Sequence, residues 1–281
     1  MDSAPGPGGA RRVVIASPKG GVGKTTLALN LAHALARRRW RVLLVDTDPQ
    51  GGIGLSLGGS TTQRAGLADV VLRDAEAKDV VMQTREERLG IAPRGHLSPI
   101  DIADYAAAMA SGSALGRWLD EVAAETYDIV LIDTPSGLGP VTVGALRASD
   151  GVVMPLQAEP LAGRALTQLL ELLRSLAESE QGVELLGVVL NMLMTRQSES
   201  LDVAQESWRL LPDDLVFQAA VPRHAQFLEA SAAGVPLALL RRVPPPLAAI
   251  FDQLAGELEI KLADKLSMEV QDDGQVIPLV D

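Results

Sequence analysis

The sequence predicts a single α/β domain in which a mostly parallel central sheet carries helices on both faces, and three observations predict it. Short apolar runs alternate with stretches of helical periodicity along most of the 281 residues. A glycine-rich turn, Ala16-Ser-Pro-Lys-Gly-Gly-Val-Gly-Lys-Thr-Thr26, joins the first apolar run to the first helical one. Two further apolar runs end in aspartate, at Asp46 and Asp133, and the carboxyl ends of parallel strands are where such a sheet places its ligand crevice. A chain of this length buries a substantial core as one large domain. We set that domain at residues 13–265, after a flexible segment 1–12 and before an acidic tail 266–281.

Composition narrows the chemistry. Hydrophobic residues make up 47% but aromatics only 3%, so Leu, Val, Ile and Ala must build the core. There is no cysteine, which excludes disulfides, thiol catalysis and cysteine-ligated metal. No stretch reads as a signal peptide or a membrane span, so the expected location is the cytoplasm. The net charge of −11 is concentrated in residues 151–281, where nine Lys and Arg face nineteen Asp and Glu. Overall acidity argues against broad attraction to nucleic acid, although a local basic stripe still acts within a Debye length.

The elements follow in order. Val13-Val-Ile-Ala16 reads as a buried strand, and Leu27, Leu31 and Leu35 recur every four residues, as a helix requires. Between them, Gly20, Gly21 and Gly23 let backbone N–H groups converge on a polyphosphate, helped by the dipole of the following helix. Pro18 stands where the common phosphate-loop pattern has its first glycine, but Lys19-Gly20-Gly21-Val22-Gly23-Lys24-Thr25-Thr26 is intact. This makes the domain a P-loop NTPase, with Lys24 a cation for the outer phosphates and the Thr25 hydroxyl a ligand for the magnesium that accompanies the nucleotide. Lys19 is extra. It is either a solvated charge or a second cation reaching an anion from another direction.

Val42-Leu-Leu-Val45 predicts a second strand, ending at Asp46-Thr-Asp48-Pro-Gln50-Gly51. Asp46 and Asp48 are two apart, so in extended chain they point the same way toward magnesium or an attacking water; the same residues also read as a turn. The glycine-rich stretch from Gly52 through Gly59 predicts mobility. A short helix is expected over 66–74, a strand at 89–92, and helical segments over 101–126 interrupted near Ser111-Gly-Ser113, with Tyr105 and Trp118 as core residues. Tyr127-Asp-Ile-Val-Leu-Ile-Asp133-Thr-Pro-Ser-Gly137 is an apolar strand ending in a Walker B acid, and Gly137 lets the backbone move with the terminal phosphate. Beyond it we expect strands at 152–156 and 185–190, helices over 163–180 and 199–211, a short helix ending at 233, and a helix over 247–263. On position alone Asn191 is a turn or cap residue. The tail carries four acids and no base, so it is read as disordered or as a strand-like segment at 275–280 offered to a partner, and not as a membrane-targeting helix.

The Lys-Gly-Gly-x-Gly-Lys-Thr motif, Asp-x-Asp-Pro-Gln-Gly at 46–51 and Asp-x-Pro-x-Gly at 133–137 resemble those of the ParA/MinD family of deviant Walker A ATPases. With a strand starting at Val13, the likeness is to the short chromosomal, Soj-like type. The resemblance implies ATP and Mg2+ as cofactors and an ATP-dependent homodimer in which Lys19 reaches the phosphates of the other subunit. It implies that Asp46 and Asp133 support the magnesium shell, that Asp48 positions the hydrolytic water, and that Asn191 and Pro222 lie against the adenine. Position 52 departs from the family's pattern, being Gly52 where many relatives carry Asn.

Two functions fit. One is a positioning ATPase that binds non-specific nucleoid DNA and is released when a cargo adaptor of ParB type stimulates a hydrolysis that is slow without it. Its DNA contacts would come from Arg196, Arg209, Arg223, Arg241 and Arg242, because phosphate neutralisation drives such binding. The alternative is an ATP-switched protein recruiter without DNA, which the acidic second half favours.

Overall fold

The computed structural model describes residues 9–57, 64–157, 159, 162–179, 182–194 and 211–272, with the backbone alone for the last nine of these. Seven strands form one sheet: β1 (Arg11–Ile15), β2 (Val42–Asp46), β3 (Met82–Gln83), β4 (Leu89–Ala92), β5 (Ile129–Asp133), β6 (Gly151–Gln157) and β7 (Glu184–Asn191). Their spatial order is β3-β4-β2-β5-β1-β6-β7, parallel throughout except for the edge pair β3 and β4. The nine helices of the described residues are α1 (Lys24–Arg37), α2 (Gly52–Leu57), α3 (Leu67–Arg73), α4 (Ile102–Met109), α5 (Ser113–Ala123), α6 (Pro140–Arg147), α7 (Ala162–Ala177), α8 (Ala225–Ala233) and α9 (Ala249–Asp272).

The period of two in the central strands sorts their side chains between two cores. Val13, Ile15, Leu44 and Leu131 face a core completed by α1, α8 and α9. Val14, Leu43, Val45 and Ile132 face the opposite core, which Tyr105, Met109, Trp118 and Leu169 fill from α4, α5 and α7. Both faces are therefore covered, and β2, β4 and β5 are buried end to end. Across the first core, Asn30 of α1 donates to Thr26 O and accepts from Leu237 N at 2.7 Å, which fixes α1 against the C-terminal segments.

Several boundaries differ from the sequence reading. β1 begins at Arg11, because Arg11 and Arg12 pair with Ile129 and Val130 and Arg12 N donates to Asp150. Gly52–Leu57 is helical, not a loose glycine-rich stretch, since Ile53 is fully buried and its N–H bonds the Asp46 carboxylate at 3.0 Å. The rest of the stretch predicted to be mobile, residues 58–59, lies outside the described residues. Helix α6 was not expected; Pro140 in its first turn and the β-branched Val141, Thr142 and Val143 hide a helical pattern in a short stretch. The C-terminal helix runs to Asp272, so the first part of the predicted tail is helical. The expected helix over 199–211, apart from its last residue, and the segment at 275–280 lie outside the described residues. No described helix is long and apolar enough to cross a membrane.

Candidate functional site

The register of the sheet builds the site. β2 and β5 are neighbours with Asp46 opposite Asp133, and β1 beside β5 delivers the phosphate loop to the same edge. In that loop Gly21 and Gly23 have φ of 73° and 84°, the left-handed region that side chains disfavour. A Cβ at Gly23 would also lie 2.5 Å from Asn191 Nδ2, so only glycine fits there. Gly20 is exposed beside Ser136, and Val22 is buried.

Lys24 opens α1 and is 6% exposed, with Nζ 3.5 Å from the Ser136 hydroxyl. Burial lowers its pKa, and Asp133 and then Asp48 partly offset that. The Thr25 hydroxyl donates to Asp133 Oδ2 at 2.7 Å. Thr47 fastens the two acidic strand ends together, its N–H and hydroxyl both bonding Asp133 O. Asp46 accepts from Asp48 N and Ile53 N. Asp48 is half-buried and accepts from Gln50 N at 2.8 Å, an Asx turn, as the turn reading expects. A Cβ at position 52 would come 3.0 Å from Thr25 Oγ1, so Gly52 leaves the threonine hydroxyl more room, whereas an asparagine there would have to shift it by a few tenths of an ångström.

Asp46 and Asp133 are both fully buried. Burial pushes Asp46 up to about 7 against its backbone hydrogen bonds, and pushes Asp133 well above the carboxylate range, with Asp46 adding to the shift. An acid with a folded pKa above its unfolded one binds a proton more tightly when folded. Its contribution is therefore full below about 4 and is lost as pH rises to about 7. In chelator and without nucleotide, we expect the protein to lose stability between about pH 4 and pH 7, at up to about 1.4 kcal/mol per pH unit for one proton. Thermal or urea unfolding should show a flatter profile for Asp46→Asn.

Asp133 Oδ1 is buried without a hydrogen-bond partner among the described residues. A free carboxylate oxygen beside a threonine hydroxyl and a lysine suits a hydrated magnesium, which takes one or two protein oxygens and keeps its remaining ligands from water and phosphate.

A cavity of about 360 Å³ opens on the other side of the loop, lined by Gly23, Thr26, Asn191, Pro222, Arg223 and Phe251 among others. The Asn191 amide donates to Val22 O at 2.7 Å and its oxygen accepts from Met192 N, so this side chain braces the phosphate loop from beneath. Gly137 has φ of 89° and its carbonyl accepts from the Thr142 hydroxyl. Lys19 points outward at the mouth of the loop and is paired with Glu159. Arg223 lines the cavity beside α8 and Arg241 bonds Glu229 of α8 at 3.2 Å; Arg242 is exposed, and Arg196 and Arg209 are outside the described residues. Sequence reasoning missed Ser136, which sits at a loosely constrained motif position, and Ser17, whose buried hydroxyl is unpartnered among the described residues.

Fold and site together define a phosphate-loop nucleoside triphosphatase with paired acids at adjacent strand ends. Residues 10–184 match the family model described as an AAA domain. The chain is 40% identical over 233 residues to the chromosome partitioning protein ParA of Caulobacter vibrioides, covering 82% of this chain and 86% of that one. It is 35% identical to the sporulation initiation inhibitor protein Soj of Bacillus subtilis, covering 81% and 90%. The septum site-determining protein MinD of Pyrococcus horikoshii, solved with Mg-ADP, superposes with a TM-score of 0.71 at 26% identity, covering 90% of this chain and 97% of that one. The chain belongs to the ParA/MinD family of P-loop ATPases, near chromosomal ParA and Soj.

Proposed function

We propose that the protein is a ParA-type positioning ATPase: it forms an ATP-dependent sandwich dimer, binds nucleoid DNA without sequence preference, and lets go when a cargo-bound partner stimulates hydrolysis. One observation carries the reading. Lys24, Thr25, Asp46, Asp48 and Asp133 converge at one sheet edge, while Lys19 of the same loop faces outward.

The backbone N–H groups of residues 20–25 and Lys24 hold the phosphates of ATP, and the helix dipole of α1 adds to them. Thr25 and Asp133, supported by Asp46, would hold Mg2+, which supplies charge neutralisation at the phosphates. Asp48 orients water for in-line attack. Lys19 of the second subunit neutralises charge that develops on the transferred phosphoryl group. Adenine fits the cavity beside Asn191 and Pro222, whose size suits a small-molecule ligand. The dimer's arginines, Arg223, Arg241 and Arg242 among them, bind DNA phosphates, which gives a cytoplasmic protein nucleoid association.

The test is binding of the Asp48→Ala protein to non-specific duplex DNA, with ATP or ADP, across a salt series. ATP-dependent binding that weakens steeply with salt is the expected result. A dimer that ignores DNA at every salt concentration would overturn the DNA step. It would favour the protein-recruiting switch, which the excess of acid in residues 151–281 supports.

A further inference from the structure

The loop that carries Asp48 is held from outside the phosphate-binding motifs. Thr47 N, Asp48 N, Gln50 N and Gly51 N all find acceptors within the two acidic segments. Pro49 has no N–H to offer and a fixed φ. The carbonyls on either side of Asp48 are different: Thr47 O accepts from the Tyr105 hydroxyl at 3.2 Å, and Pro49 O accepts from Arg94 Nη1 at 2.5 Å. Tyr105 belongs to α4 and Arg94 follows β4, so two separate elements grip the backbone one residue before and one residue after the aspartate.

Both grips are themselves fixed. Tyr105 is fully buried, and burial raises its pKa, so its oxygen remains a donor. Arg94 donates from Nε to Gly95 O at 3.1 Å, and its guanidinium lies over Gly51, where a Cβ would be 3.4 Å from Nε. The backbone around Arg94 is anchored to the start of α3, with Leu67 N bonding Pro93 O and Ala68 N bonding Arg94 O. Asp69 of α3 closes the same junction by accepting from Gly66 N and His96 N, each at 2.9 Å. Neither Tyr105 nor Arg94 makes a described hydrogen bond to the phosphate loop.

We infer that Tyr105 and Arg94 are positioning residues for ATP hydrolysis, setting where the Asp48 carboxylate stands relative to Thr25 and Asp133 through the two hydrogen bonds that bracket its backbone. The inference rests on the reading of Asp48 as the residue that orients the attacking water. A small displacement of a group in such a role costs rate and leaves binding alone.

The test compares full-length wild type with Tyr105→Phe, Arg94→Ala, Arg94→Lys and Asp48→Ala, measuring single-turnover ATP hydrolysis at saturating Mg-ATP, affinity for a non-hydrolysable ATP analogue, and Tm. Tyr105→Phe keeps the buried ring and removes only the hydroxyl. Tyr105→Phe and Arg94→Ala should each slow hydrolysis roughly 10-fold with analogue affinity held within about twofold, and Arg94→Lys, which keeps a donor, should recover part of the loss. Added to Asp48→Ala, neither should slow hydrolysis further. Wild-type hydrolysis in both single variants, with Asp48→Ala inactive, overturns the positioning role alone. So does a rate loss matched by weaker analogue binding. Wild-type hydrolysis by Asp48→Ala overturns the parent reading as well.

Discussion

Asp48→Ala is expected to bind ATP as wild type does and to hydrolyse it at least ~100-fold more slowly, accumulating as an ATP dimer. The argument is one of position. On the proposed function Lys24, Thr25 and Asp133 are the binding side of the site: Thr25 bonds Asp133 at 2.7 Å, and Lys24 is buried beside Ser136 and feels the Asp133 charge. Asp48 stands apart from those bonds: its carboxylate accepts from Gln50 N, and its backbone is fastened to Asp46 and to the loop's own turn. Removing the carboxylate therefore breaks no hydrogen bond of Lys24, Thr25, Asp46 or Asp133, and takes away only a neighbouring charge that acts on them through space. On the proposed mechanism what is lost is the base-like group that orients water, and such groups contribute about 10²–10⁴ in rate. Size analysis with ATP and a single-turnover rate check both halves. Turnover at the wild-type rate would remove Asp48 from the mechanism, whereas loss of ATP binding would make it a binding residue.

How much of this could be read from the sequence depended on whether the signal was local. The phosphate loop was legible because its glycines, lysines and threonine act through backbone geometry within eight residues, and strand and helix flank it as the motif requires. Asp46 and Asp133 were legible as strand-terminal acids, and the parallel register then sets them opposite one another. What stayed hidden was long-range. Tyr105 reads as core, and it is core; its hydroxyl meets Thr47 O across 58 residues of chain, which no periodicity reports. Arg94 resembles any loop arginine until the fold brings it under Pro49. Asn191 reads correctly as a residue at the end of β7, but its bond to Val22 O spans 169 positions. Gly52 seemed to loosen the segment, whereas the buried Ile53 and the Asp46 carboxylate make that segment a helix. Local glycine content cannot foresee such a tertiary partner.

The second large effect is expected at Lys19, and it separates two lysines five residues apart in one loop. Lys24 is 6% exposed and lies beside Ser136 and Asp133, a position suited to acting within its own subunit. The Lys19 side chain is 46% exposed and is paired with Glu159, away from the buried acids. An exposed ion pair of this kind contributes little to stability, so its removal should leave the fold and the local phosphate cradle intact. In Lys19→Ala we therefore expect ATP affinity within about threefold of wild type, Tm nearly unchanged, and no ATP-dependent dimer by sedimentation at concentrations where wild type is fully dimeric. Hydrolysis should fall with dimerisation, because charge neutralisation by the second subunit is lost along with the contact. The Lys24→Ala control should instead lose ATP binding. If Lys19→Ala dimerises as wild type does, the lysine is a solvated surface charge and the sandwich must be held elsewhere. If it loses ATP affinity as severely as Lys24→Ala, then Lys19 serves its own subunit's nucleotide and the division of labour between the two lysines is wrong.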